Sequence, residues 1–227
     1  MQKEYPKVSL IMPIIIQFDW QVYMTEAAIK IFKCTTKVPF ELIIVETISN
    51  QFKGQGDKYI HFEDRKSYTR DFNAAIDIAS GDILVQIAND VFVQEGWLEA
   101  LLQCFEIKDC GAATLASKEL RHTLYDVICE SVSCPIILAF KKGYKFDEDF
   151  PNVMSDVDLI MRIYNDGYRM YRNMRAIYSH LAEQTVRHIY TKEEIEDNSK
   201  KYVELFKQKH QDSHLLMYHI LATGQLV

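Results

Sequence analysis

Residues 8–13 read Val-Ser-Leu-Ile-Met-Pro, and residues 41–46 read Glu-Leu-Ile-Ile-Val-Glu. Both stretches are short and almost continuously apolar, which is typical of strands that are covered on both faces of a sheet. Between them, Met24, Ala28 and Ile31 lie on one helical face, so a helix is expected over residues 21–33. A strand, a helix and a second strand in this order indicate a parallel sheet covered by helices.

The same alternation continues through the first half of the chain. The pattern predicts a short strand at residues 59–62, a helix at 70–80, a strand at 83–87 and a helix at 96–105. Gly81 directly follows the helix at 70–80, in the position of a helix stop.

The second half of the chain is less regular. The expected elements are strands at residues 110–115, 136–140 and 175–180, a helix that follows residues 152–156, and a helix opened by a capping box of Thr191 and Glu194. No linker divides the sequence, so we expect one domain over residues 1–227. Its predicted class is α/β, with helices on both faces of a mostly parallel central sheet.

The composition narrows the classes of function. The net charge is −6, whereas a nucleic-acid-binding domain usually carries a basic excess, so no nucleic-acid partner is expected. The longest apolar run, residues 10–16, is much shorter than the roughly 20 residues that span a bilayer. Residues 1–6 contain no signal-peptide core, and the five cysteines are not spaced as metal-ligand pairs. We therefore expect reduced thiols and a cytoplasmic location.

Three acidic residues follow predicted strands or open a predicted helix, namely Glu46, Asp90 and Asp156. Ligands of open parallel α/β sheets gather at the carboxyl ends of the strands, so these residues are expected at one edge. Asp90 suits a divalent cation beside a phosphate, and Asp156 suits a general base. The structural alternatives are a turn at Asn89 and Asp90, and a helix N-cap at Ser155 or Asp156.

Several other residues have two interpretations. His180 follows an apolar segment, where a single histidine is more often structural than a ligand. Trp97 could be a stacking platform, although a core residue at the start of a helix is the favoured interpretation. The remaining C-terminal histidines are expected to be solvated or to pack, and they are His188, His210, His214 and His219.

Five stretches, taken in order, resemble the motifs of the family 2 glycosyltransferases. They are residues 8–13; 40–46; 70–76 with 80–82; 88–91 with 96–99; and 146–150 followed by 155–159, 162 and 167–169. That family has the GT-A fold, a Rossmann-like fold that binds nucleotide-diphospho-sugars. The resemblance covers the chain from about Val8 to His180 and implies that fold here.

The resemblance implies three residues for catalysis and metal binding. Asp156 matches the aspartate that acts as the catalytic base. Asp90 matches the metal-binding acid that ends the DxD motif, and His180 falls where many members have a histidine that helps to hold the metal or the diphosphate. The implied cofactor is a divalent cation, Mn²⁺ or Mg²⁺.

The resemblance also implies a set of residues that bind the nucleotide-sugar. Glu46 would contact the nucleoside, as the family's strand-end acid does. Arg70 and Asn73 would line the nucleotide pocket. Pro13, at the end of the first strand motif, and Asn89, beside the metal-binding acid, complete the predicted donor-binding set.

The sequence departs from the family pattern at four places. Residues 14–16 are three isoleucines where a Tyr-Asn pair is usual, and Ala88 replaces the first acid of DxD. Ser155 stands where glutamate is common, and Glu46 replaces the usual aspartate. These departures bear on metal dependence and on the identity of the nucleotide.

Two functions therefore stay open. The first is an inverting, metal-assisted transferase that moves a sugar from a UDP-, GDP- or dTDP-linked donor to a saccharide or lipid-linked acceptor in polysaccharide biosynthesis. The second is a catalytically impaired GT-A module that binds sugar nucleotides. A nucleotidyltransferase is disfavoured because residues 8–20 contain neither glycine nor a basic residue for a phosphate loop.

The resemblance divides the domain into a nucleotide-binding half, about residues 1–107, and an acceptor half, about residues 108–190. Residues 191–227 are expected to form a C-terminal helical segment with an apolar face. That face could pack on the domain, form a homodimer, or rest on the inner face of a membrane. Packing on the domain is the expected arrangement.

Overall fold

The computed structural model describes residues 4–117, 127–131, 135–181 and 191–210. Its strands are β1 (Val8–Ile15), β2 (Glu41–Thr47), β3 (Lys58–Phe62), β4 (Ile83–Gln86), β5 (Val91–Val93), β6 (Cys110–Ser117), β7 (Ile128–Glu130), β8 (Leu138–Lys141) and β9 (Arg169–His180). Its α-helices are α1 (Asp19–Thr35), α2 (Tyr68–Ile78), α3 (Trp97–Gln103), α4 (Ser155–Asn165) and α5 (Lys192–Lys209). The predictions for Cys134, His188, His214, His219 and residues 211–227 lie outside the described residues.

The strands form one sheet in the order β3-β2-β1-β4-β8-β6-β9-β5, with β7 also paired to β9. The first four strands in this order are mutually parallel, as predicted. Strand β8 runs antiparallel between β4 and β6, and β5 and β7 run antiparallel to β9. The predicted α/β class is confirmed. Strands from the first half of the chain are mostly parallel, whereas those from the second half form both parallel and antiparallel pairs.

Two apolar layers cover the sheet because successive side chains of a strand point to opposite faces. In β1, Leu10 and Met12 pack in the layer that contains α1 and α3. Ile11 packs in the opposite layer with α2 and α4. The prediction of helices on both faces is confirmed.

Trp97 is a core residue. Its side chain is fully buried, and its ring lies 5.5 Å from that of Phe32 in an edge-on arrangement. The indole Nε1–H donates a hydrogen bond of 2.7 Å to the hydroxyl of Thr36. The favoured interpretation from the sequence is confirmed, and the stacking platform is wrong.

Helix α5 begins at the predicted capping box and packs on the domain. The Thr191 hydroxyl accepts a hydrogen bond from the Glu194 amide, and the Glu194 carboxylate accepts one from the Thr191 amide. Tyr202 and Phe206 are buried in a third apolar cluster with α4. Packing of this segment is therefore confirmed over its described length.

Two sequence expectations concern the membrane and the thiols. Within the described ranges, every helix is too short or too polar to cross a bilayer.

Cys104 and Cys110 are buried, Cys34 and Cys129 are exposed, and all four are free thiols. Burial raises the pKa of Cys104 and of Cys110 to about 12.

Glu41 joins three parts of the fold at the amino edge of the sheet. Its carboxylate accepts hydrogen bonds of 2.5 Å from the Ser9 hydroxyl and from the Ser80 amide. It also forms an ion pair with Lys58 at 2.8 Å. Burial alone would raise the pKa of Glu41, but the donors of Lys58, Ser9 and Ser80 outweigh burial and lower that pKa to about 2.

We expect Glu41→Gln to lower the free energy of unfolding by about 1–2 kcal/mol near neutral pH, because the charge-assisted bonds are lost. Because the pKa of Glu41 is lower in the folded protein, its carboxylate stabilises the fold at pH values above the ordinary pKa of 4.5. This contribution disappears as the pH falls toward 2. Urea unfolding across that range should show the two proteins converging in stability. An equal difference at every pH would contradict the assignment.

Candidate functional site

The parallel strands β1, β2 and β4 end at one edge of the sheet. The register pairs Ile15 with Thr47 at the ends of β1 and β2, while β4 ends at Gln86, opposite Ile11. Pro13 lies on this edge, half-buried and opposite Val45 of β2. Of the other predicted site residues, Glu46 lies near the end of β2, and Asn89 and Asp90 follow β4.

Asp90 and His180 are brought together by the antiparallel pairing of β5 with β9. Val91 pairs with His180, and the Leu181 amide donates a hydrogen bond of 3.1 Å to the carbonyl of Asp90. The Asp90 Oδ2 and His180 Nε2 atoms are 3.2 Å apart. The Asp90 side chain is 6% exposed and the His180 side chain is 20% exposed, so the histidine is the more accessible of the two.

The separation of these two atoms suits a shared cation. An octahedral ion with bonds of about 2.1 Å holds adjacent ligands roughly 3 Å apart, close to the observed distance. Carboxylate oxygen suits Mn²⁺, and imidazole nitrogen is a common ligand of divalent transition metals.

The rest of the coordination would come from outside the protein. Over the ranges that the structure describes, no group of three histidine, cysteine or acidic side chains converges, and alanine stands at position 88. Water and phosphate oxygens commonly complete such sites. Asp90 and His180 could therefore supply two ligands to a divalent cation.

Asn89 connects this strand end to α1. Its side chain is buried, and its Nδ2 donates a hydrogen bond of 2.8 Å to the hydroxyl of Thr25. The amide therefore holds the backbone that carries Asp90. A direct contact between Asn89 and a sugar nucleotide stays a prediction.

Asp156 lies in the first turn of α4. The N-cap of this helix is Met154, which makes no side-chain cap, so the predicted cap at Ser155 or Asp156 is wrong. Asp156 is half-buried, and its Oδ1 accepts a hydrogen bond of 2.9 Å from the Val157 amide. Burial raises the pKa of Asp156 and the Val157 bond offsets only part of this rise, which favours proton acceptance.

Tyr68 is a neighbour of Asp156 that the sequence pattern does not single out. Burial, together with the charge of Asp156, raises the pKa of the Tyr68 hydroxyl. The Tyr68 amide donates to the Asn152 side chain at 3.2 Å, and the Thr69 amide donates to the Pro151 carbonyl at 3.3 Å. The start of α2 is thereby attached to the loop that precedes Asp156.

Glu46 points into the protein. Its side chain is fully buried, and its carboxylate accepts hydrogen bonds from the Ser49 hydroxyl and the Gln51 and Phe52 amides, at 2.6–2.9 Å. The Tyr59 hydroxyl donates a fourth bond of 2.9 Å. In this structure Glu46 orders the loop after β2, and its contact with a nucleoside stays a prediction.

Arg70 is also engaged within the protein. Its guanidinium lies 4.1 Å from the ring centroid of Phe62 and pairs with Asp71 at 2.6 Å and with Asp64 at 2.8 Å. The buried Asp71 carboxylate accepts a further hydrogen bond of 2.8 Å from Thr47 at the end of β2. Arg70 thereby braces α2 against the strand edge.

Asn73 attaches α2 to the loop before α4. Its side chain donates to the Phe146 carbonyl and accepts from the Phe146 amide, both at 2.9 Å. It also donates to the Glu148 carboxylate at 3.1 Å. The roles of Arg70 and Asn73 in lining a nucleotide pocket stay predictions, because both side chains have protein partners.

Comparison with known proteins identifies the fold. No protein-family model and no curated sequence matches the chain. Solved structures match it: GalNAc-T7 with UDP, GalNAc and Mn²⁺ superposes with a TM-score of 0.66 at 11% identity, over 79% of this chain and 44% of that one. The mannosyltransferase PcManGT from Pyrobaculum calidifontis, with GDP-Man and Mn²⁺, gives 0.67 at 14% identity, over 88% and 65%.

A third neighbour is residues 1–349 of TarS from S. aureus, with a TM-score of 0.57 at 14% identity, over 77% of this chain and 60% of that one. The chain spans less than two thirds of the length of each of these three proteins. It has the GT-A glycosyltransferase fold, as predicted.

We expect Glu46→Gln to destabilise the protein by about 2–3 kcal/mol, because an amide nitrogen would then face buried donors. Tyr59→Phe removes one donor and should cost about 1 kcal/mol. Burial and the Glu46 carboxylate raise the pKa of Tyr59 to about 12. Because Glu46→Gln removes that negative charge, it should lower the pKa of Tyr59. Urea unfolding and ultraviolet titration of the tyrosines measure both effects. A stable Glu46→Gln protein that no longer binds a nucleotide would instead support direct nucleoside contact.

Proposed function

We propose that this chain is a metal-assisted, inverting glycosyltransferase of the family 2 type, which transfers a hexosyl group from a nucleoside-diphosphate donor. The supporting observation is the pair of Asp90 and His180, 3.2 Å apart within a GT-A fold. The solved neighbours with UDP or GDP-Man and Mn²⁺ support the choice of donor class and cation. A dTDP-sugar is a third donor to test.

Each residue has a distinct task in this proposal. Asp90 and His180 would hold the divalent cation. When bound, a divalent ion supplies neutralisation of the charge on the leaving diphosphate. Asp156 accepts the proton of the acceptor hydroxyl while that oxygen attacks the anomeric carbon opposite the departing diphosphate. Burial raises the pKa of Asp156, which makes its carboxylate a stronger base than an exposed one.

The acceptor in this proposal is a saccharide or a lipid-linked saccharide of polysaccharide biosynthesis. The protein would act in the cytoplasm, with the inner membrane face as the alternative for a lipid-linked acceptor. Residues 1–107 would bind the donor and residues 108–190 would shape the acceptor side, within one domain.

We expect Asp156→Asn to reduce transfer by about 100-fold or more, since a positioned base contributes 10²–10⁴ in rate. Donor affinity should stay within about threefold of the wild-type value. The asparagine side chain has the same shape as aspartate, and the charged residues proposed to bind the donor are unchanged. Product formation by mass spectrometry and donor binding by calorimetry measure the two quantities. Asp166→Asn, at the opposite end of α4, is the matched control. Full activity of Asp156→Asn, or weak donor binding in that variant, would count against Asp156 as the base.

A second candidate function is a non-catalytic module that binds sugar nucleotides. Ala88 in place of an acid favours it, because the chain then offers two metal ligands where the DxD pattern offers more. Such a module would bind a donor without turning it over.

Calorimetric titration with UDP-, GDP- and dTDP-sugars, with and without Mn²⁺, separates the two functions. For the transferase we expect Mn²⁺ to strengthen donor binding by roughly tenfold or more, equivalent to about 1.4 kcal/mol. Asp90→Asn and His180→Ala should each abolish this increase. Asp82→Asn, an exposed acid at the other end of β4, is the control. Donor binding without hydrolysis or transfer would favour the module.

A further inference from the structure

The C-terminal end of α5 contacts the first turn of α4. The Nε2–H of His210 donates a hydrogen bond of 2.8 Å to Asp158 Oδ1. The other oxygen of Asp158 accepts a bond of 2.8 Å from Arg162. Both partners are buried, with side chains that are 7% exposed for His210 and 1% for Asp158. Asp158 lies two residues beyond Asp156, so this bond anchors the turn that carries the proposed base.

Apolar packing reinforces the same contact. Tyr202 and Phe206 of α5 pack in one buried cluster with Phe150, Met154 and Val157. The rings of Phe206 and His210 lie 4.6 Å apart, so the imidazole is held by packing as well as by its hydrogen bond. Met154 and Val157 lie on either side of Asp156 in the sequence.

Met154 adopts a left-handed backbone conformation, with φ of 68°. For a residue with a side chain this conformation costs about 1–2 kcal/mol, so neighbouring contacts must stabilise it. The Met154 carbonyl accepts a bond of 2.8 Å from the Asp158 amide, and its buried side chain packs in the cluster with α5. The geometry that starts α4 therefore depends on α5.

The loop before α4 is held from two sides. Lys209 at the end of α5 pairs with Asp147 and with Asp149, each at 2.6 Å. On the other side, Asn73 of α2 hydrogen-bonds both the amide and the carbonyl of Phe146. The loop cannot shift far while both helices are docked.

We propose that α5 positions Asp156 for catalysis, with His210 as the principal positioning residue. This inference rests on the proposed function, in which Asp156 is the base. A displacement of a catalytic base by about 1 Å can lower the rate roughly 100-fold. The contact of His210 with Asp158, here called the clamp, holds the first turn of α4, so its loss should lower kcat. His210 acts through Asp158 and the backbone, and it has no part in donor binding.

The test compares His210→Ala, His210→Gln and the control Lys207→Ala in the full chain. Lys207 pairs with Glu204 on the exposed side of the same helix. We expect His210→Ala to lower kcat by about 10-fold or more with unchanged donor affinity. His210→Gln should recover activity to within about threefold, because its side-chain amide can donate to Asp158. Lys207→Ala should leave kcat unchanged.

Hydrogen–deuterium exchange of the amides at residues 155–158 measures the clamp independently of catalysis. We expect faster exchange in His210→Ala and wild-type exchange in His210→Gln and Lys207→Ala. Unchanged exchange and unchanged kcat in His210→Ala would overturn the inference, as would a kcat loss that His210→Gln does not restore. If the wild-type protein transfers no sugar, the proposed function fails, while faster exchange in His210→Ala alone would still establish the clamp.

Discussion

The short pairing of β5 with β9 is the interaction on which the candidate site depends. It joins a three-residue strand to the end of a twelve-residue strand and sets Asp90 beside His180, which lie far apart in the sequence. The backbone bond from Leu181 to Asp90 fixes this register, and a shift of one residue would turn the imidazole to the other face. Burial of Val91 and Tyr178 stabilises the pairing. The proximity of Asp90 and His180 is thus a product of strand register and not of a local motif.

The sequence predicts much of this fold because the buried elements have simple patterns. The continuous apolar runs of β1 and β2 and the helical spacing of α2 identify elements whose bounds differ from the structure by only a few residues. The elements that the pattern misses are β5 and β7, since three residues cannot display a period. Strand β9 begins at Arg169, six residues before the predicted start, because polar side chains interrupt its first half.

The site residues were less predictable than the strands. The resemblance to a family grouped Asp90 with His180, and the strand pairing places them together. Nothing local distinguishes an acid that faces a ligand from one that faces inward, and Glu46 is of the second kind here. Its direction depends on Tyr59, a residue of the neighbouring strand, and on amides of the following loop. His210 packs as one of the two alternatives predicted, but neither its bond to Asp158 nor the proximity of Tyr68 to Asp156 is visible in the sequence, because the partners are distant along the chain.

The four hydrogen bonds around the Glu46 carboxylate have a consequence for association. A loop that is flexible before a ligand arrives loses conformational entropy when it becomes ordered, and this loss weakens affinity. The segment from Ser49 to Phe52 is already fastened to a buried anion, so that entropy is lost during folding instead. A molecule that docks on this loop therefore meets a preorganised surface. Such a surface favours ligands of complementary shape and disfavours bulkier ones.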